Sequence, residues 1–220
     1  IYAGADNDEF HFDSNTVLSN DLYARGQNGD DTFKLGSDFG ASTLYLYGNN
    51  GSDQFKINGA LTSNVCIEPG GTGTNINTLT FTSASSNTGL LIKDYLTNND
   101  VFDFSSAAFS GNNGHTLVFG HVDGTNFMPD STTTFINGFQ EITIDAFDET
   151  NTNVSDLLSI SNDHWYYDTT DGQLWYDEDA DQIMDDAVEI ARVIDKNENP
   201  LEKGELQSSD IYYDYNIAPS

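Results

Sequence analysis

Three aspartates offer the plainest chemistry in this chain. Asp8, Asp31 and Asp53 each follow a glycine-rich loop, in the runs Gly4-Ala-Asp-Asn-Asp, Gly26-Gln-Asn-Gly-Asp-Asp and Gly48-Asn-Asn-Gly-Ser-Asp. A carboxylate set among loop carbonyls is an oxygen-rich ligand set, which suits a hard cation such as calcium that takes six to eight oxygens. Glycine lets such a loop turn with positive φ, so that carbonyls point inward. The candidate ligands and loop formers are Asp6 and Asp8 in the first loop, Gly26, Asn28, Gly29 and Asp31 in the second, and Gly48, Asn50, Gly51 and Asp53 in the third. A fourth loop supplies Gly71 and Gly73, with Asn75 at the aspartate position. Glycine and Asx residues also build plain turns. Turn chemistry alone, however, does not call for a carboxylate five residues past a glycine in successive loops. Four stacked loops enclose three gaps, so the spacing predicts about three calcium ions, each aspartate reaching toward carbonyls of the following loop.

The elements that must position these loops are legible as a period. Gly4, Gly26, Gly48 and Gly70 stand 22 residues apart, and a fixed period in the twenties marks a solenoid of stacked coils. After each loop the residues alternate: Phe10, Phe33 and Phe55 in one apolar row, Phe12, Leu35, Ile57 and Leu79 in the next, with His11, Lys34, Lys56 and Thr78 between them facing out. That is strand periodicity. A second strand precedes each glycine, at residues 22–24, 44–47 and 65–67. The expected fold is all-β: a parallel β-roll or β-solenoid of about four 22-residue coils, followed by a β-rich C-terminal cap. Residues 1–82 are the repeat, 83–160 an irregular β-rich continuation, and 161–220 a C-terminal hairpin region. Within the last, residues 166–177 read as a hairpin turning at Asp171-Gly172, and residues 187–194 as a strand.

Two acidic groups lie beyond the repeat. Asp177, Asp179 and Asp181 have the one-three-five spacing of a calcium loop but lack its glycine and its closing glutamate. They read equally as a further calcium site or a solvated turn. Asp195-Lys-Asn-Glu-Asn-Pro reads as a turn.

The loops resemble the nonapeptide Gly-Gly-x-Gly-x-Asp-x-U-x, U being a large apolar residue, of the repeats-in-toxin (RTX) proteins. Gly26 to Lys34 and Gly48 to Lys56 match it at all but the second glycine. Residues 95–105 and the stretch from Trp165 to Asp181 resemble segments that follow RTX repeats. The resemblance implies calcium-dependent folding after export by a type I secretion apparatus, with a base-poor C-terminal secretion signal. The family's usual coil is two nonapeptides, so a 22-residue coil implies metal loops on one side of the roll only.

Composition narrows the partners. The chain has 36 acidic and 7 basic residues, a formal charge of -29. Such a charge repels nucleic acid and anionic lipid, and no apolar run approaches the ~20 residues of a membrane span. The single cysteine, Cys66, lies in a strand-like run and reads as a small buried hydrophobe. No His-Glu-x-x-His or Gly-x-Ser-x-Gly motif occurs, so no catalysis is expected. Ile1 runs straight into the first loop with no leader, which reads as a segment of a longer polypeptide. The function expected is a noncatalytic calcium-binding module of an extracellular or cell-surface bacterial protein, adhesin-like, with cell-surface glycans or self-association as further partners. Two alternatives are a segment of a calcium-ordered surface layer and an accessory module of a secreted carbohydrate-active enzyme or hydrolase.

Overall fold

The structure, a computed structural model, describes residues 1–12, 20–36, 43–61, 64–71, 74–96, 99–109, 116–124, 126–129, 134–137, 140–143, 164–177, 184–202, 205–206 and 210–213. Each coil contributes one strand to each of two facing parallel sheets. The first sheet stacks β1 (Tyr2–Gly4), β3 (Leu22–Asn28), β5 (Thr43–Asn50), β7 (Asn64–Gly70) and β9 (Leu90–Lys93). The second stacks β2 (Glu9–Phe12), β4 (Thr32–Gly36), β6 (Gln54–Asn58), β8 (Asn77–Phe81) and β10 (Asp100–Phe104). The chain is therefore the parallel β-solenoid that its period predicts, and the stacking continues through β9 and β10, one coil past the repeat.

Alternation decides which faces meet. Ala24, Leu44, Leu46, Val65, Ile67, Leu90 and Ile92 from the first sheet are buried against Phe12, Phe33, Leu35, Phe55, Ile57, Leu79, Phe81, Phe102 and Phe104 from the second. Phe10, Phe33 and Phe55 stack face to face, with centroids 4.7 and 4.9 Å apart. Burying such a ring contributes about 2–3 kcal/mol, so an inward row of this kind holds the coils in register.

The register corrects the sequence alignment at both ends of the repeat. Gly4 pairs with Gln27, Gln27 with Asn49, and Asn49 with Gly70, so Gly4 and Gly70 align one position past Gly26 and Gly48. On the other sheet Phe55 pairs with Leu79, Ile57 with Phe81, and Lys56 with Thr80. Phe81 thus completes the row expected to end at Leu79, and Thr80 replaces Thr78 in the outward row. The physical cause is loop length. Asn49 and Asp53 are four residues apart, whereas Gly70 and Asn77, their counterparts, are seven apart.

The aligned position Gly4, Gln27, Asn49 and Gly70 has positive φ in each of the first four coils, at 139, 82, 70 and 77°. Glycine takes this conformation freely, and asparagine tolerates it better than most side chains. Gln27→Gly is therefore expected to stabilise the chain by about 0.5–1 kcal/mol, the left-handed strain relieved outweighing the added chain entropy. Thermal melts check this, with Asn49→Gly gaining less, because Asn49 also donates from Nδ2 to the Tyr47 carbonyl at 3.1 Å.

Beyond the coils, β15 (His164–Asp168) and β16 (Gln173–Asp177) form the expected hairpin, with Gly172 at φ 85° in its turn. Residues 187–194 form a strand as expected, β17 (Val188–Ile194), antiparallel to β16 and parallel to β9. The first sheet then extends through β15 to β11 (Thr116–Asp123) and β12 (Asn126–Pro129). The short β18 (Ile211–Tyr213) pairs in parallel with β10, closing the second sheet. A two-stranded pair, β13 (Thr134–Asn137) and β14 (Gln140–Thr143), forms a sheet of its own, with β13 close to β11. Among the described residues no helix is long and apolar enough to cross a membrane.

Candidate metal centre

The loops between the two sheets stack into a ladder of side chains. Asp8 N–H donates to Asp31 Oδ1 at 2.8 Å, Asp31 N–H to Asp53 Oδ1 at 2.9 Å, and Asp53 N–H to Asn77 Oδ1 at 2.9 Å. The Oδ1 atoms of Asp31 and Asp53 thus reach back to the preceding coil. Asn77, not Asn75, holds the fourth rung. Its Nδ2 donates to the Gly70 carbonyl at 2.9 Å and to Asp100 Oδ1 at 2.8 Å. Asp100 is a fifth rung, and its Oδ2 accepts from Leu96 N–H at 2.7 Å.

The second oxygens divide these rungs into two kinds. Asp100 has both oxygens hydrogen-bonded, whereas Asp31 Oδ2 and Asp53 Oδ2 are buried with no hydrogen-bond partner among the described residues. Both aspartates are fully buried, and a buried carboxylate oxygen without a donor costs several kcal/mol unless a proton or a cation joins it. Burial raises Asp31 above the ordinary aspartate range and pushes Asp53 up to about 7, against the hydrogen bond from the preceding coil, with the neighbouring carboxylates adding to the rise.

Each orphaned oxygen faces a space that glycine keeps clear. A Cβ on Gly26 would lie 2.0 Å from Asp31 Oδ2 and 2.9 Å from the Gly48 carbonyl oxygen. A Cβ on Gly48 would lie 2.3 Å from Asp53 Oδ2 and 2.2 Å from the Pro69 carbonyl oxygen. Here a carboxylate oxygen of one coil and a carbonyl of the following coil border the same small space. In the first coil the register puts Ala3, with its methyl group, at the Gly26 position. Such a space therefore occurs in two gaps, those after the second and third coils.

Among the described residues no group of three or more His, Cys, Asp or Glu side chains gathers closely enough to hold a metal. With one carboxylate per coil, any ion would depend on backbone carbonyls for most of its ligands. The donor set fits a hard cation on that condition: buried unpartnered carboxylate oxygens, adjoining carbonyls, and glycines at the contact.

The other candidates serve the loops. Gly29 and Gly51 take φ of 118 and 136°, and a Cβ on either would run into the backbone of the preceding coil, at Asp6 O (2.6 Å) and Gly29 O (1.9 Å). The Asp6 side chain is exposed, as are those of Asn28 and Asn50, which pair with each other at 2.9 Å. Gly71 has φ 82°, and its absent side chain makes room for the Asn77 amide at 3.3 Å. Gly73 lies outside the described residues, as do Asp179 and Asp181. Asp177, at the end of β16, is buried. Asp195 behaves as the expected turn: its Oδ1 accepts from Asn197 and Asn199 N–H at 2.7 and 2.8 Å, and these bonds hold its carboxyl below the usual range.

The sequence reading missed a second ladder one residue earlier in each loop. Asp30 N–H donates to Asn7 Oδ1 at 2.8 Å, Ser52 N–H to Asp30 Oδ1 at 2.7 Å, and Ile76 N–H to Ser52 Oγ at 3.2 Å. These side chains accept from the coil above while the aspartates accept from the coil below, so adjacent loops are tied in both directions. The recurrence of a short polar residue directly before each aspartate was the available signal. Compared with protein-family models, with curated proteins and with solved structures, the chain matches none.

Proposed function

We propose that this chain is a noncatalytic calcium-binding β-roll of the RTX kind, part of a secreted or cell-surface protein that folds on calcium after type I export. The observation carrying this reading is the pair of buried, unpartnered oxygens, Asp31 Oδ2 and Asp53 Oδ2, each facing a glycine-cleared space bordered by a carbonyl of the following coil. Asp31 with Gly26 and Gly48, and Asp53 with Gly48 and Pro69, would hold the ions. Bound calcium supplies the positive charge that lets these carboxyls ionise inside the fold, so binding free energy becomes folding free energy. The net charge of -29 points the same way, because self-repulsion on that scale opposes compaction until cations offset it.

Circular dichroism of chelator-treated protein, followed while calcium is added, tests the reading. At a hundredfold excess over Kd each ion contributes about 2.7 kcal/mol. Two ions should then raise Tm by about 10–20 °C, and calorimetry should count two in the repeat. A melting temperature indifferent to calcium would overturn the proposal.

A further inference from the structure

The outer face of the first sheet holds a groove of about 590 Å³ running along β7, between β5 on one side and β9 with β17 on the other. Its construction follows from one small residue. Tyr23 and Tyr45 are register neighbours, their rings stacked at 4.6 Å and within 3° of parallel. Tyr47, two residues along β5, has the Arg25 guanidinium 3.7 Å above its ring centre. The next residue in the Tyr23–Tyr45 row is Cys66, far smaller than a tyrosine. The stack stops there: among the described residues Tyr45 has a stacked ring on its Tyr23 side only, and it lines the groove.

Polar groups surround that ring. Glu68 lies beside Tyr47 on the groove floor, and Lys93, paired with Glu198 at 2.6 Å, forms the far wall with Arg192. Arg192 is held in place by its Nε, which donates to the Asp171 carbonyl at 2.6 Å. The charged residues lining the groove are two acids and two bases, in a chain where acids outnumber bases 36 to 7. An electroneutral patch on so acidic a surface repels no uncharged ligand and offers no net attraction to an ion. An apolar ring face ringed by fixed donors and acceptors is what a polyhydroxylated ring recognises, its C–H face on the aromatic and its hydroxyls on the polar rim.

We propose that this groove binds a neutral pyranose sugar, seated on the unstacked face of Tyr45, with Glu68, Lys93 and Arg192 bonding its hydroxyls. The groove lies on the sheet face and shares no lining residue with the metal centre, although Tyr47 and Glu68 directly precede Gly48 and Pro69. Sugar binding by a chain indifferent to calcium would therefore sink the metal reading alone.

The experiment is calorimetry with ligand-observed saturation-transfer NMR on the whole chain in calcium, using glucose, galactose, mannose and N-acetylglucosamine, with glucuronate as the charged comparator. At least one neutral sugar should saturate, and glucuronate should bind more weakly. Tyr45→Ala should weaken binding at least tenfold. Cys66→Tyr should do the same by extending the ring stack into the groove, and as a strand-favouring change it keeps the test valid if Tyr45→Ala unfolds. Saturation by none of the neutral sugars, tighter binding of glucuronate, or undiminished affinity in folded Cys66→Tyr protein would each overturn the proposal.

Discussion

Asp53→Asn should stabilise this chain without calcium and destabilise it with calcium. In chelator the argument runs through the proton. A carboxyl that titrates near 7 in the fold and near 3.8 in the open chain keeps its proton in the folded state between those values. Stability is therefore fully present below about pH 4, is lost as pH rises toward 7, and stays low above it. At about 1.36 kcal/mol per pH unit, the buried charge costs of the order of 4 kcal/mol at pH 8. Asparagine removes that cost. Its Oδ1 still accepts from Asp31 N–H, and its Nδ2 faces the Pro69 carbonyl as a donor. The fourth coil shows a related solution, since Asn77 accepts from Asp53 N–H and donates to the Gly70 carbonyl of its own coil. In calcium at about ten-thousandfold excess over Kd the variant forgoes one ion, about 5.4 kcal/mol, more than the roughly 4 kcal/mol that removing the buried charge returns. Melts of both proteins at pH 8, with chelator and with calcium, should rank them in opposite orders. The same rank in both conditions would remove Asp53 from the metal centre.

Gly48→Ala should be the most damaging single methyl in the loops with ordinary φ. The added carbon would meet a backbone oxygen, Pro69 O, at 2.2 Å and Asp53 Oδ2 at 2.3 Å. A carboxylate can swing aside, but a carbonyl in a parallel ladder moves only with its strand. Overpacking of this kind costs about 1–3 kcal/mol, and in calcium at about a hundredfold excess over Kd the lost ion adds to it, for a total of about 5 kcal/mol. Gly26→Ala should cost less, since its nearest obstacle is the flexible end of Asp31, with the Gly48 carbonyl at 2.9 Å. The reverse change is informative too. Ala3→Gly clears the first coil's equivalent position and should raise the calcium count from two to three. A count unchanged in both Gly48→Ala and Ala3→Gly would show that these spaces hold no ion.

Much of this architecture was legible in the residues because solenoid contacts are between neighbours. Phe10, Phe33 and Phe55 announce their row by spacing alone, and Asp31 and Asp53 announce the ladder. The fourth coil was misread because a period assumes equal loops. The three extra residues between Gly70 and Asn77 shift every later partner, so Leu79 and Asn75 were assigned places that belong to Phe81 and Asn77. Ala3 was overlooked for a related reason: only the pairing of Gly4 with Gln27 reveals that Ala3 aligns with Gly26. The groove at Cys66 was invisible for a third reason. It depends on β17, a strand drawn from about a hundred residues downstream, and no local pattern records which strand a distant segment will join.

That distant pairing has a kinetic meaning. Coils one to five each close on a neighbour about 23 residues away, but β18 meets β10 through Phe102 and Ile211, 109 residues apart. Closing the longer loop costs about 1.4 kcal/mol more chain entropy, and such non-local contacts form late. The roll should therefore assemble quickly by coil-to-coil growth and then wait, with the Phe102 and Phe104 edge uncovered, for its last strand to arrive. In refolding this would appear as a fast phase and a slow one, and only the slow phase should depend on residues 188–213.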